Sequence, residues 1–135
     1  MPNILEAVNS HNNSLKIFGS DYDTFDGTPV RDFIHVEDLI NGHVLALNFL
    51  KKSKKDIYEI FNLGNGEGLS VLQLIKIFEN INQVKVSIEF AEKRKGDLPI
   101  YFSSAEKIHK KLGWKAKFSV EDMCKSSWEF HKNNK

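Results

Sequence analysis

Residues 57–63 constrain the fold of this chain more than any other stretch. Ile57, Tyr58, Ile60, Phe61 and Leu63 make the segment rich in β-formers and almost continuously apolar. A strand with apolar side chains on both faces belongs to a sheet covered on both sides, as parallel sheets are. Gly64, Gly66 and Gly68 follow as a turn. Ser70-Val71-Leu72-Gln73 then forms a capping box, which opens a helix carrying Val71, Leu74, Ile75, Phe78 and Ile81. Strand, tight turn and helix in that order predict an α/β fold.

The flanking sequence adds further elements. A short helix with Ile4, Leu5 and Val8 ends in the polar run Asn9-Ser10-His11-Asn12-Asn13-Ser14, read as an exposed loop. Leu15-Lys16-Ile17-Phe18-Gly19 is a short strand closed by glycine. Residues 20–29, with Asp21, Asp23, Asp26-Gly27 and Pro29, form a surface loop, and 30–35 a brief extended segment. From Val36 the period changes: Val36, Leu39, Ile40, Val44, Leu47 and Leu50 share the face that an amphipathic helix turns to a core, and the helix runs to about Ser53. Lys51, Lys52, Lys54 and Lys55 at its end suit the macrodipole. Val84, Val86, Ile88 and Phe90 alternate with Lys85, Ser87 and Glu89 as a half-buried strand over 84–90. A helix over 105–112 stops at Gly113. A last one opens at Ser119-Val120-Glu121-Asp122 and turns Val120, Met123, Cys124 and Trp128 inward.

Composition narrows the function. With 135 residues, 41% of them hydrophobic, the chain can build one core. Nineteen Lys+Arg against eighteen Asp+Glu leave a net charge of +1, which supplies no overall field for nucleic acid or an anionic membrane, so neither is an expected partner. No apolar run approaches the roughly 20 residues of a membrane helix, and the opening Met1-Pro2-Asn3 is not signal-like. A single cysteine, Cys124, excludes an internal disulfide and fits a reducing compartment, so a soluble, cytoplasmic protein is expected.

Four groups of residues invite chemistry. Gly64-Asn65-Gly66-Glu67-Gly68 sits where a dinucleotide fingerprint would, but position 69 is Leu and the spacing fails; a tight turn is the reading, with amides still able to touch an anion. His35, Glu37, Asp38 and His43 include metal-ligand types, yet offsets of five or six residues point them apart, so Glu37 and Asp38 are read as first-turn charges and no metal is expected. Cys124 is read as core. Lys93-Arg94-Lys95-Gly96-Asp97 places three cations and a carboxylate on one loop: either a solvated loop, or a guanidinium gripping phosphate while Asp97 accepts from sugar hydroxyls. Arg31 is equally open, since Arg31-Asp32 can be a local ion pair.

Taken in order, these residues resemble one family, the extended short-chain dehydrogenase/reductase enzymes of nucleotide sugars, and within it the UDP-glucose (UDP-galactose) 4-epimerase branch. The matching text is Leu15-Lys16-Ile17-Phe18-Gly19-Ser20-Asp21-Tyr22, Asp26-Gly27-Thr28, Val30-Arg31-Asp32-Phe33-Ile34-His35-Val36, Asp38-Leu39 and Gly42-His43. It continues with Asn62-Leu63-Gly64, Gly66, Ser70-Val71, Arg94-Lys95-Gly96-Asp97-Leu98-Pro99 and Leu112-Gly113-Trp114, essentially the whole chain. The resemblance implies the C-terminal substrate-binding lobe of an NAD(P)-binding Rossmann-type fold, with 57–63 as a late strand of the large parallel sheet. It also implies roles: Lys16, Ile17 and Phe18 hold uracil, with Phe18 on its face, a stacking worth about 1–3 kcal/mol. Arg31 and Arg94 clamp the diphosphate, Asp97 binds the ribose, and Tyr101 limits the substituent at carbon 2 of the hexose.

The activity implied is interconversion of UDP-galactose and UDP-glucose by reversible oxidation at carbon 4, with NAD as cofactor and a homodimer as the complete enzyme. The family's catalytic Tyr-x-x-x-Lys has no match here, because Asp26, Asn62 and Ala105 stand four residues after Tyr22, Tyr58 and Tyr101. The Gly-x-x-Gly-x-x-Gly turn that seats NAD has no match either. Residues 1–135 therefore read as the C-terminal substrate-binding part, with the NAD-binding part absent and no activity expected of the chain alone. Without its sheet, 57–63 is expected to leave backbone unpaired and apolar side chains exposed. Another nucleotide-sugar enzyme of the same family, such as a dehydratase, decarboxylase or different epimerase, and a noncatalytic UDP-sugar-binding module are the competing readings.

Overall fold

The computed structural model describes residues 1–9 and 14–134, so residues 10–13 of the expected polar loop lie outside the described residues. The elements are α1 (Pro2–Asn9), β1 (Leu15–Phe18), β2 (Val30–Arg31), α2 (Val36–Lys52), β3 (Leu69–Ser70), α3 (Val71–Asn82), β4 (Ile88–Ala91), β5 (Ile100–Tyr101), α4 (Glu106–Leu112) and α5 (Val120–Asn133). β1 pairs in parallel with β4, Phe18 opposite Ala91. β2 lies between β3, antiparallel, and β5, parallel, with Arg31 opposite Tyr101.

The mixed α/β architecture is the one expected, and both capping boxes form. Ser70 accepts from the Gln73 amide and Ser119 from the Asp122 amide, with the reciprocal side-chain bonds also made. Gly113 ends α4 in the left-handed conformation, φ +69°. The core joins Ile4 of α1, Ile17 of β1, Leu74 and Phe78 of α3, and Met123 and Cys124 of α5. Trp128 meets Phe78 edge-on, centroids 5.9 Å apart.

Three expectations about burial are corrected. Residues 57–63 form no strand and have no ladder partner among the described residues; Ile57, Phe61 and Leu63 are half-buried, but Tyr58 is 87% and Ile60 61% exposed. The strand at 84–90 starts only at Ile88, and Ile88 and Phe90 are exposed, because β4 pairs with β1 alone in a two-stranded sheet. On α2 the apolar face of Val36, Ile40, Val44 and Leu47 is the exposed one. The helix packs instead through Asp38, Gly42 and Phe49: a Cβ on Gly42 would lie 2.6 Å from the Leu63 methyls, and the Phe49 ring meets Phe61 edge-on at 6.3 Å. Apolar material on both sides of α2 and of 57–63 is what a middle layer carries.

Three side chains of the 31–38 run fasten the loops around it. Asp32 accepts from the amides of Asn65 (2.9 Å), Gly66 (3.4 Å) and Ser103 (3.5 Å). His35 caps α2 by accepting from the Glu37 amide, reaches the Ser126 hydroxyl at 2.9 Å and stacks on Phe118. Asp38 stands in the first turn of α2 as expected, and there it is 2% exposed and accepts from the amides of Lys117 and Phe118.

Candidate functional site

The β1–β4 ladder and the β2–β5 ladder are joined by the loop 92–99, and the predicted site residues collect along it. Phe18 ends β1, and the Gly19 amide donates to Ala91 at 2.9 Å. Gly19 has φ +90°, and a Cβ there would lie 2.3 Å from the Tyr22 ring and 2.8 Å from Lys93, so the approach of the two loops requires glycine. Lys93 closes that approach, pairing with Asp21 at 3.0 Å and lying over the Tyr22 ring at 4.7 Å. Arg94 then folds back over Phe18, its guanidinium carbon 3.8 Å from the ring centroid.

Arg94 and Asp97 are the two ends of one turn. The Asp97 amide donates to the Arg94 carbonyl at 3.2 Å, with Gly96 at φ +89° in the third position. Beyond it Val30 donates to Pro99 at 2.8 Å, and the chain enters β5. Arg31 grips this exit: Nη1 donates to the carbonyls of Val30 (2.8 Å) and Leu98 (2.9 Å), and Nη2 lies 3.9 Å from the Asp97 carboxylate. The local ion pair considered for Arg31 and Asp32 is not formed; Arg31 faces Asp97, and Asp32 turns to the glycine loop. Adjacent residues on an extended strand point to opposite faces, which is why neighbours in sequence part here.

The other predicted residues divide by the same alternation. Ile17 is buried in the core, Lys16 is exposed, and Phe18 is half-buried under Arg94. Tyr101 is 65% exposed and paired with Arg31. Together these groups bring an aromatic ring, one face of it covered by Arg94, two guanidiniums and a carboxylate to the neighbourhood of one loop, residue types that suit a ligand with a flat ring and an anionic arm once the guanidinium moves aside. Sequence reading missed the Lys93–Asp21–Tyr22 clasp, whose only signal was the glycine at 19.

The glycine turn does not suit a dinucleotide. Its amides at 65 and 66 already face the Asp32 carboxylate, and a Cβ on Gly64 would lie 2.1 Å from that carboxylate. An incoming pyrophosphate would meet a fixed negative charge where it needs free N–H groups. The residues of this turn therefore do not fit NAD, and no step through NAD is assigned to them.

Two titrating groups lie away from this loop. Burial alone would raise Asp26, but bonds donated by the Ser70 hydroxyl and by the hydroxyl and amide of Thr28 outweigh it and hold the carboxyl below the ordinary Asp value. Burial, with the Glu121 charge adding to it, pushes the Cys124 thiol up to about 11, as befits a core side chain.

Comparison with known proteins gives the class of the fold. The chain belongs to the family whose model is described as GDP-mannose 4,6 dehydratase, matched over residues 19–127. Within it, its relatives include UDP-glucose 4-epimerases, and the fold is that of extended short-chain dehydrogenase/reductase epimerases. The bifunctional UDP-glucose 4-epimerase and UDP-xylose 4-epimerase 3 of Arabidopsis thaliana is 42% identical over 134 residues, 99% of this chain and 38% of that protein. The crystal structure of UDP-glucose 4-epimerase from Stenotrophomonas maltophila, with bound NAD and formylated UDP-arabinopyranose, superposes with a TM-score of 0.90 at 40% identity, over 98% of this chain and 39% of that one. The enzyme from Bifidobacterium longum in complex with NAD+ and UDP gives 0.89 at 36% identity, again over 98% and 39%. The chain thus spans 33–38% of the length of these curated relatives.

Proposed function

We propose that this chain is the UDP-sugar-binding part of an NAD-dependent UDP-glucose 4-epimerase, with Lys16, Ile17 and Phe18 receiving uracil, Arg31 and Arg94 the diphosphate, Asp97 the ribose and Tyr101 the hexose. The observation that carries the reading is the loop 92–99, which sets Arg94 over Phe18 and Arg31 against Asp97. In this arrangement binding energy sits on the nucleotide, leaving the sugar free to turn. Ile17 contributes through its backbone, since its side chain is in the core.

Residues 1–135 are in this reading the substrate-binding domain; the NAD site and the catalytic tyrosine and lysine belong to the length of the relatives that this chain does not span. That remaining part would cover the exposed face of α2 and pair with 57–63. The complete enzyme would work as a cytoplasmic homodimer in galactose metabolism, the buried single thiol of Cys124 suiting a reducing compartment.

Calorimetry with the 135-residue chain tests the binding half. UDP is expected to bind without NAD, and Arg31→Ala to weaken it by about tenfold or more, from the loss of charge-assisted bonds. Equal binding of UDP by the wild type and by Arg31→Ala and Phe18→Ala variants would remove the reading. In the complete enzyme, robust turnover of UDP-N-acetylglucosamine would remove the role given to Tyr101.

A further inference from the structure

Building on the proposed roles of Phe18 and Arg94, we propose that Arg94 is a specificity-determining gate that disfavours nucleosides and admits nucleoside diphosphates. The Arg94 guanidinium lies over a face of the Phe18 ring, 3.8 Å from the centroid. That separation is one van der Waals contact, so a base cannot lie between the two groups and must displace the guanidinium to use this face.

The two arginines differ in how they are held. Arg31 is fixed by two backbone carbonyls and faces Asp97, which ties it to the loop exit. Among the described residues no carboxylate pairs with Arg94, which is exposed and rests on the ring alone. It stands at the start of the 94–97 turn, whose backbone is held by its own hydrogen bond, so the side chain can swing without moving the loop.

Displacement has opposite consequences for two ligands. A nucleoside removes the cation–π contact and offers the guanidinium only water. A nucleoside diphosphate removes the same contact but presents phosphate oxygens to the displaced group, and a charge-assisted bond more than replaces what was lost. Arg94 therefore lowers affinity for the base alone and raises it for the diphosphate.

The test is titration of the wild-type chain and Arg94→Ala with uridine and with UDP. Arg94→Ala is expected to bind uridine about two- to fivefold more tightly, the worth of an exposed cation–π contact. The same change is expected to weaken UDP by about tenfold or more. Unchanged uridine binding would make Arg94 a phosphate ligand only, and weakened uridine binding would mean that the base stacks on the guanidinium; either overturns the gate. As a second readout, the Arg94 side-chain protons should be shifted upfield by the Phe18 ring in the free chain. They should return to ordinary positions on saturation with UDP, and lose the shift in Phe18→Leu. Ordinary positions in the free wild type would overturn the gate while UDP binding stands. A wild type that binds neither ligand would remove the functional reading and the gate together.

Discussion

Asp38 is buried in the first turn of α2, and the amides of Lys117 and Phe118 each donate to it at 3.0 Å. Asp38→Ala strips both amides of their acceptor in a place where water has poor access. The loss is expected to be about 2–4 kcal/mol, read as a lower urea midpoint with an unchanged slope; a loss within about 0.5 kcal/mol would be that of an ordinary surface position. Asp26 makes a pH-dependent contribution instead. Its folded pKa lies below the unfolded value of about 3.9 because Ser70 and Thr28 donate to the carboxylate against the opposing effect of burial. Its stabilisation is therefore complete above the unfolded pKa and disappears as pH falls through the folded one. Asp26→Asn should lower the melting temperature at neutral pH, with the difference starting to shrink near the unfolded value of about 3.9 and vanishing only below the folded one; parallel curves down to strong acid would show that the carboxylate's charge is immaterial.

At the scale of elements, α2 shows what a sequence states and what it leaves out. Its period was legible, and so were the capping boxes at Ser70 and Ser119, because spacing and caps are local properties of the chain. The direction of the helix was not: Val36, Ile40, Val44 and Leu47 mark a face that seeks an apolar partner, but the described residues supply that partner to the opposite face, at Gly42 and Phe49. The same holds for 57–63, whose β-character was evident and whose sheet was not. At the candidate site the residue types were legible, whereas the pairing of Arg31 with Asp97 rather than Asp32 depends on the β2–β5 register. Substitution tests the open face directly. Ile40→Glu with Val44→Lys should leave the urea stability of the chain within about 0.5 kcal/mol, while reducing self-association and binding of an apolar dye. A drop of several kcal/mol would place those side chains inside the fold of the chain itself.

Across the whole molecule, the two halves differ in how completely they are closed. α1, β1, α3 and α5 share one buried cluster, in which Phe78 and Cys124 have no exposed surface. α2, 57–63 and α4 form a second layer that buries Ile108 and Trp114, the Trp114 indole donating to the Asp38 carbonyl, and that is joined further out through Glu59 with Lys107 and Lys111 and through the Phe49–Phe61 contact. Within this layer 57–63 has no ladder partner among the described residues and leaves Tyr58 and Ile60 exposed, so that segment should open at lower free energy than the core. Cys124 provides a clock for the core: at a pKa of about 11 and without solvent contact, its thiol should react only when the α3–α5 packing opens. Hydrogen exchange and thiol labelling on one sample should therefore separate, with the amides of 57–63 exchanging fast and Cys124 labelling at a rate that follows global unfolding across a urea series. If the two measurements report the same free energy at every urea concentration, the layer and the core are one cooperative unit, and 57–63 is protected by packing stronger than its exposed Tyr58 and Ile60 suggest.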